Sequence, residues 1–339
     1  MVAAPQANAQ GSVRMNARSG LAAALLFATA AAPVPRYAIL GAMRGPDGSF
    51  DYVSVDPPTG DVYVGRDFGV QVLRGGRFTT LLRRKGVASV LPIGERLMLS
   101  TNGDGNSATL FDRLTGRAIA DIPTGNEPDG AAYDPGTGLA FVMNGGSDDV
   151  TMIDVARRKA VGRIAAGGGP EGAVPDGRGH LFLNIEDHNA IAVIAIAARK
   201  VVRQYPLRGC IEPTGIAYDE TSGLLISACH NGVAKLTEAK TGRDRGSIPI
   251  GQGADGSIFD PTRRLGFIPC IDGTLTVYRL APDGRAFVLQ RLKTRDGART
   301  AAYDSARDRL YLAAARVERD AKGNYVRART DFRILTVGH

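Results

Sequence analysis

The stretch DGAAYDPGTGLAFVMN, residues 129–144, decides the fold. Its start alternates small and apolar residues into an aspartate, its middle is a tight Pro-Gly-Thr-Gly turn, and its end is an apolar run. That is two short strands joined by a polar turn. The pattern then returns as EGAVPDGRGHLFLNI (171–185), TGIAYDETSGLLISA (214–228), DGSIFDPTRRLGFIP (255–269) and RTAAYDSARDRLYLA (299–313). An earlier copy is DYVSVDPPTGDVYVG (51–65), and a worn one is KGVASVLPIGERLMLS (85–100). From Gly130 through Gly172, Gly215 and Gly256 to Thr300 the steps are 42, 43, 41 and 44 residues.

Within the copy at Asp129, the runs AAYD, LAFVMN, DVTMIDV and AVGRIAA supply four strands, with NGGSD and DVARRK as the further turns. Four strands per forty-odd residues, with no helical period between them, describe a propeller blade. Seven copies predict an all-β, seven-bladed β-propeller of four-stranded blades. The last copy has its first two strands around TAAYD and LYLAAA and a third at FRILTV (332–337). Its missing outer strand is expected from RYAILGA (36–42), so that an N-terminal strand completes the last blade and leaves no open edge. A pair of packed sandwiches would not explain so constant a period.

Ahead of that strand, Arg14 and Arg18 precede GLAAALLFATAAAP (20–33), an apolar run too short for an ordinary transmembrane helix and followed by small residues. The expectation is a signal peptide at 1–32, with Met15 as an alternative start, then one propeller domain at 33–339. A periplasmic or secreted location follows, without integral membrane association once processed. A retained hydrophobic anchor is the bland alternative. The formal charge of +8 falls to +6 when the two arginines are removed. Its positive residues are scattered; LLRRKG (81–86) is the one dense group, so nucleic acid is a weakly supported partner and a solvated surface the simpler reading.

Taken together, DGAAYDPGTGLAFVMN, FLNIEDHNAIAVI, EPTGIAYD, SACHNG, PIGQGADGSIFDP, DGTLTV and GARTAAYD with LYLAAA resemble the YVTN-repeat, YncE-like exported propellers. The resemblance runs from about Phe50 to the C-terminus. It implies a seven-bladed exported propeller and, for activity, little beyond binding. Ala88 stands near where such proteins often carry a histidine, so a metal role does not carry over by resemblance.

Propeller geometry sorts the polar residues into two faces. The segments leading into each inner strand share a face with the hairpins between strands two and three. Asp51, Asp129, Glu171, Thr214, Asp255 and Arg299 therefore line one channel mouth as ligand-binding candidates, joined by Asp187 and Asp272 from the hairpins. Several carboxylates there would repel one another unless a cation, a basic ligand or Arg299 answers them. Glu171, Asp129, His188 and His230 are the candidates for acid–base catalysis, and Glu171, His188, Cys229 and His230 for a divalent metal ion. The hairpin SACHNG (227–232) reads like a Cys-His-Asn hydrolase. Neighbours on a strand point to opposite sides, however, and Cys229 and His230 cannot readily share a proton.

Cys210, Cys229 and Cys270 leave three readings open: a disulfide, buried thiols or metal ligands. The glycine run AAGGGPEG (165–172) leads into a strand rather than a helix and makes no phosphate loop. The expected function is a propeller binding a small molecule, metal ion or protein partner at the mouth. The alternatives are a hydrolase, lactonase or lyase on the same face, and a scaffold or nucleic-acid binder acting through net positive charge.

Overall fold

The computed structural model describes residues 36–320, 325–327 and 330–339. The expected signal segment lies outside them. The described strands form seven four-stranded antiparallel sheets and one two-stranded hairpin. Blades one to six occupy 50–82, 87–123, 128–165, 170–206, 213–249 and 258–293, each running in chain order from the channel outward. Blade seven is built from Thr300–Asp304, Arg309–Ala314 and Arg333–Gly338, and its outermost strand is Ala38–Arg44. That strand pairs antiparallel with the C-terminal one, from Ala38 opposite Gly338 to Arg44 opposite Arg333. The ring thus closes by the expected clasp, displaced by two residues from the predicted stretch.

The strand sequences follow from their place in a blade. Blades stack face to face around the ring, so middle strands meet a neighbour on both sides and need apolar residues throughout. Leu139–Asn144 is buried along nearly its whole length, whereas Lys159–Ala165 at the rim of the same blade is largely exposed. Inner strands alternate, as in Pro128–Asp134, because one side faces the next blade and the other the channel. Each of the seven seams carries its own apolar cluster. Phe141 and Met152 meet Leu183 and Ile194 between blades three and four, and Val62 and Val64 meet Ala313 and Ile334 where blade seven closes on blade one.

The aspartate that ends five of the seven inner strands builds the turns on the face opposite the mouth. Asp134 Oδ1 accepts from the Gly136 amide at 3.0 Å and Oδ2 from Thr137 Oγ1 at 2.9 Å. Neighbouring blades add arginines: Arg264 reaches Asp219 at 2.6 Å, and Arg113 reaches Asp56. These arginines act as clamps between blades, which accounts for part of the scattered positive charge. No helix among the described residues is long and apolar enough to cross a membrane.

Candidate functional site

Seven equivalent positions open the inner strands, and the strand register identifies them. The first residue of each inner strand pairs with the end of the second strand: Phe50 with Arg66, Val87 with Asn102, Pro128 with Asn144, Pro170 with Ile185, Pro213 with Cys229, and Ala254 with Cys270 through an isolated bridge. The next residues are Asp51, Ala88, Asp129, Glu171, Thr214 and Asp255, with Arg299 completing the set ahead of Thr300. In blades one to five the register breaks there and resumes three residues on. The unpaired step frees these side chains from the ladder and turns them toward the mouth.

A glycine follows in four blades, and in blades four and five it has a steric cause. A Cβ on Gly172 would collide with the Thr214 carbonyl, and one on Gly215 with the backbone of Gly256 and Ser257. The inner strands converge so closely that only glycine fits between them.

Four carboxylates and one guanidinium thus meet at the mouth. Arg299 Nε lies 3.1 Å from Asp255 Oδ2, and Nη2 lies 3.4 Å from Asp51 Oδ1. The ion pair with Asp255 lacks hydrogen-bond directionality, since Oδ2 is sealed from solvent and accepts no hydrogen bond among the described residues. Asp129 Oδ1 is likewise sealed and takes none. Burial raises the pKa of both Asp51 and Asp255, against the pull of Arg299. Asp129 is pushed up to about 8 by burial and then by Asp51 and Asp255. Glu171 is pushed up to about 9 by burial and then by Asp129 and Asp255, and it shares a hydrogen bond with Glu186. The same fields hold the Tyr52 hydroxyl well above its ordinary range, after burial as the larger cause. Tyr52 and Asp255 line a central cavity of about 190 Å³, with Ser89, Gly130, Gly172 and Ser257 on its walls.

Other sequence-chosen residues serve the scaffold. Thr214 is buried, and its hydroxyl donates to the Ala254 carbonyl at 2.8 Å. Asp187 accepts from the Gly169 amide at 2.9 Å, and Asp272 from the Gln252 and Thr274 amides at 2.8 and 2.9 Å. Both tie a hairpin to the segment leading into its blade, so their carboxylates are turned to backbone donors instead of the cavity. His188 stands exposed beside Asp187, 3.8 Å away, and joins no other candidate.

Cys229 is bonded to Cys210. It therefore has no thiolate to offer a metal, which corrects its place among the metal candidates. Cys270 is a buried thiol pushed up to about 12 by burial and then by Asp272. The Cys-His-Asn reading of SACHNG ends there: the cysteine is oxidised, and Asn231 braces the loop at Ile211 and Gly209.

His230 does have a partner. Its Nδ1 lies 2.7 Å from Glu212 Oε2, and these two with Glu186 can each offer one ligand atom, all within 4.8 Å of one another. Glu186, Glu212 and Tyr52 were absent from the sequence candidates. One signal for Glu212 was present. The residue before the inner strand is left-handed at Gly86, Gly253 and Gly297, yet glutamate occupies the same position and conformation at Glu127 (φ 51°) and Glu212 (φ 50°). EPDG (127–130) and EPTG (212–215) carry that oddity in the sequence.

No protein-family model and no curated protein matches the chain. Among solved structures it is similar to a chain of "Kuenenia stuttgartiensis Hydrazine Synthase", 18% identical, covering 85% of this chain and 97% of that one with a TM-score of 0.66. It is also similar to a chain of "Crystal Structure of Mitotic Checkpoint Complex", 13% identical, covering 91% and 96% with a TM-score of 0.73. At such identities the likeness is one of fold alone.

Proposed function

We propose that this is an exported propeller of the YncE-like kind that binds a small organic cation, an amine, in its channel mouth. One observation carries the reading: Asp129 keeps a carboxylate oxygen sealed from water with no donor, inside a ring of four carboxylates that faces one arginine. A buried acceptor left unmade costs stability, and an ammonium group supplies both the missing donor and the missing charge. Tyr52 adds an aromatic wall to the cavity, which suits an alkylammonium better than a bare, strongly hydrated ion. The disulfide supports an oxidising compartment, in line with the export signal expected at residues 1–32.

The test is calorimetric titration of the purified protein with short mono- and diamines at neutral pH, repeated on Asp129→Asn. Saturable one-to-one binding, weakened at least about tenfold (about 1.4 kcal/mol) in the variant, is expected. Equal affinity in both proteins, or no saturable binding by any amine, contradicts the reading.

A further inference from the structure

Beyond the amine reading and independent of it, we propose that Glu186, Glu212 and His230 form a divalent metal site of the zinc class on the mouth rim, at the seam between blades four and five. The three donors come from separate segments: the hairpin of blade four, the lead-in to blade five and the hairpin of blade five. Ligand atoms bonded at about 2.1 Å to a tetrahedral ion are about 3.4 Å apart. Their mutual spread of no more than 4.8 Å therefore closes on one ion with a small side-chain movement. One imidazole and two carboxylates form a nitrogen–oxygen set suited to zinc and its neighbours.

The repeat supplies an internal control. Every seam presents the same three positions, which the register aligns. At the seam between blades three and four they hold Gly145, Gly169 and Glu186; between five and six, His230, Gly253 and Ile271; between six and seven, Ile271, Gly297 and Ala315. Glycine, alanine and isoleucine fill most of these positions elsewhere, with Asp67 and Glu127 as lone carboxylates at theirs, so the fold itself requires no set of three donors at one seam. Among the described residues, three metal-ligating side chains coincide at the four–five seam and at no other.

The blade-five side of that seam is also stapled covalently. The Cys210–Cys229 bond joins the two segments next to the ligands, since Glu212 lies two residues after Cys210 and His230 directly after Cys229. The Glu212 amide donates to Asn189 Oδ1 at 2.8 Å and the His230 amide to the Ile211 carbonyl at 2.9 Å. Both ligand backbones are held before any ion arrives, which is the preorganisation a tight site needs. Glu171, hydrogen-bonded to Glu186, orients that ligand from behind.

The experiment is equilibrium dialysis of the purified protein against zinc alone, with bound metal counted by elemental analysis. Wild type, Glu212→Gln, His230→Ala, Asp187→Asn and Asp129→Asn are compared, and circular dichroism confirms each fold. One zinc per chain is expected, weakened about a hundredfold by Glu212→Gln and by His230→Ala. Asp187→Asn, a rim carboxylate outside the trio, and Asp129→Asn, which tests the amine pocket, should stay within about threefold of wild type. Glu212 is half exposed, so its variant keeps the test usable if His230→Ala fails to fold. Sub-stoichiometric zinc, zinc retained by Glu212→Gln, or loss through Asp129→Asn instead would each overturn the assignment.

Discussion

Replacing Asp129 by asparagine should make this protein more stable at neutral pH, although the change removes a proposed ligand group. The folded protein holds the Asp129 proton up to about pH 8, whereas the unfolded chain releases it around the ordinary value of 3.8. Below that value both states carry the proton and the effect vanishes. As pH rises toward 8 the unfolded state alone loses it, so wild-type stability falls with pH over this interval. At 1.36 kcal/mol per pH unit the cost at pH 7 is capped at roughly 4 kcal/mol, and neighbouring carboxylates share it, which leaves about 2 kcal/mol for this residue. Asparagine keeps the shape and an acceptor but cannot ionise. The gain should therefore be near zero at about pH 4 and reach about 2 kcal/mol near pH 8, or roughly 3 °C in Tm for a domain of this size. Paired urea melts of both proteins across this range read it directly. A variant less stable than wild type near pH 8, or a difference that does not grow with pH, would refute the reasoning. An acid that lowers stability where it stands fits a residue kept for binding.

Three further outcomes follow from the same structure. Arg299→Met removes an ionic partner from part-buried Asp51 and from buried Asp255, so unfolding free energy should drop by about 3 kcal/mol in a denaturant melt, recovering in part when Asp255→Asn is added. Gly172→Ala places a methyl group against the Thr214 carbonyl between converging inner strands and should cost about 1–3 kcal/mol or more in the same assay. Gly41→Ala, with open space around its Cβ, should cost less than about 0.5 kcal/mol.

The fold was legible because a blade is a unit that must be repeated to bury its faces. The glycines at 130, 172, 215 and 256 mark the inner strands, crowded at 172 and 215, and the aspartates at 134, 219, 260 and 304 mark the turns on the far side. Even the clasp could be read, since blade seven lacked a strand and Ala38–Arg44 was the spare one. The hairpin of Val317–Arg319 with Tyr325–Arg327 was not, being an insertion outside the repeat. The carboxylate ring was readable by equivalence, one residue per blade. Glu186 and Glu212 were not, because they meet His230 only across a seam, and position within a blade does not reveal what faces it from the next. Three cysteines likewise allow three pairings. The bond joins Cys210 to Cys229 because the segment leading into blade five packs on its own hairpin, with Cα atoms 5.5 Å apart.

The central claim is that the mouth holds a proton where a cation belongs. Titration calorimetry of the best-binding amine near pH 7, run in buffers of different ionisation enthalpy, counts the protons exchanged on binding. With the Asp129 and Glu171 carboxyls holding protons near pH 7, about one proton should leave the protein for each ammonium that enters, and clearly fewer should leave Asp129→Asn. An amine that binds wild type and variant with the same proton count would contradict the account.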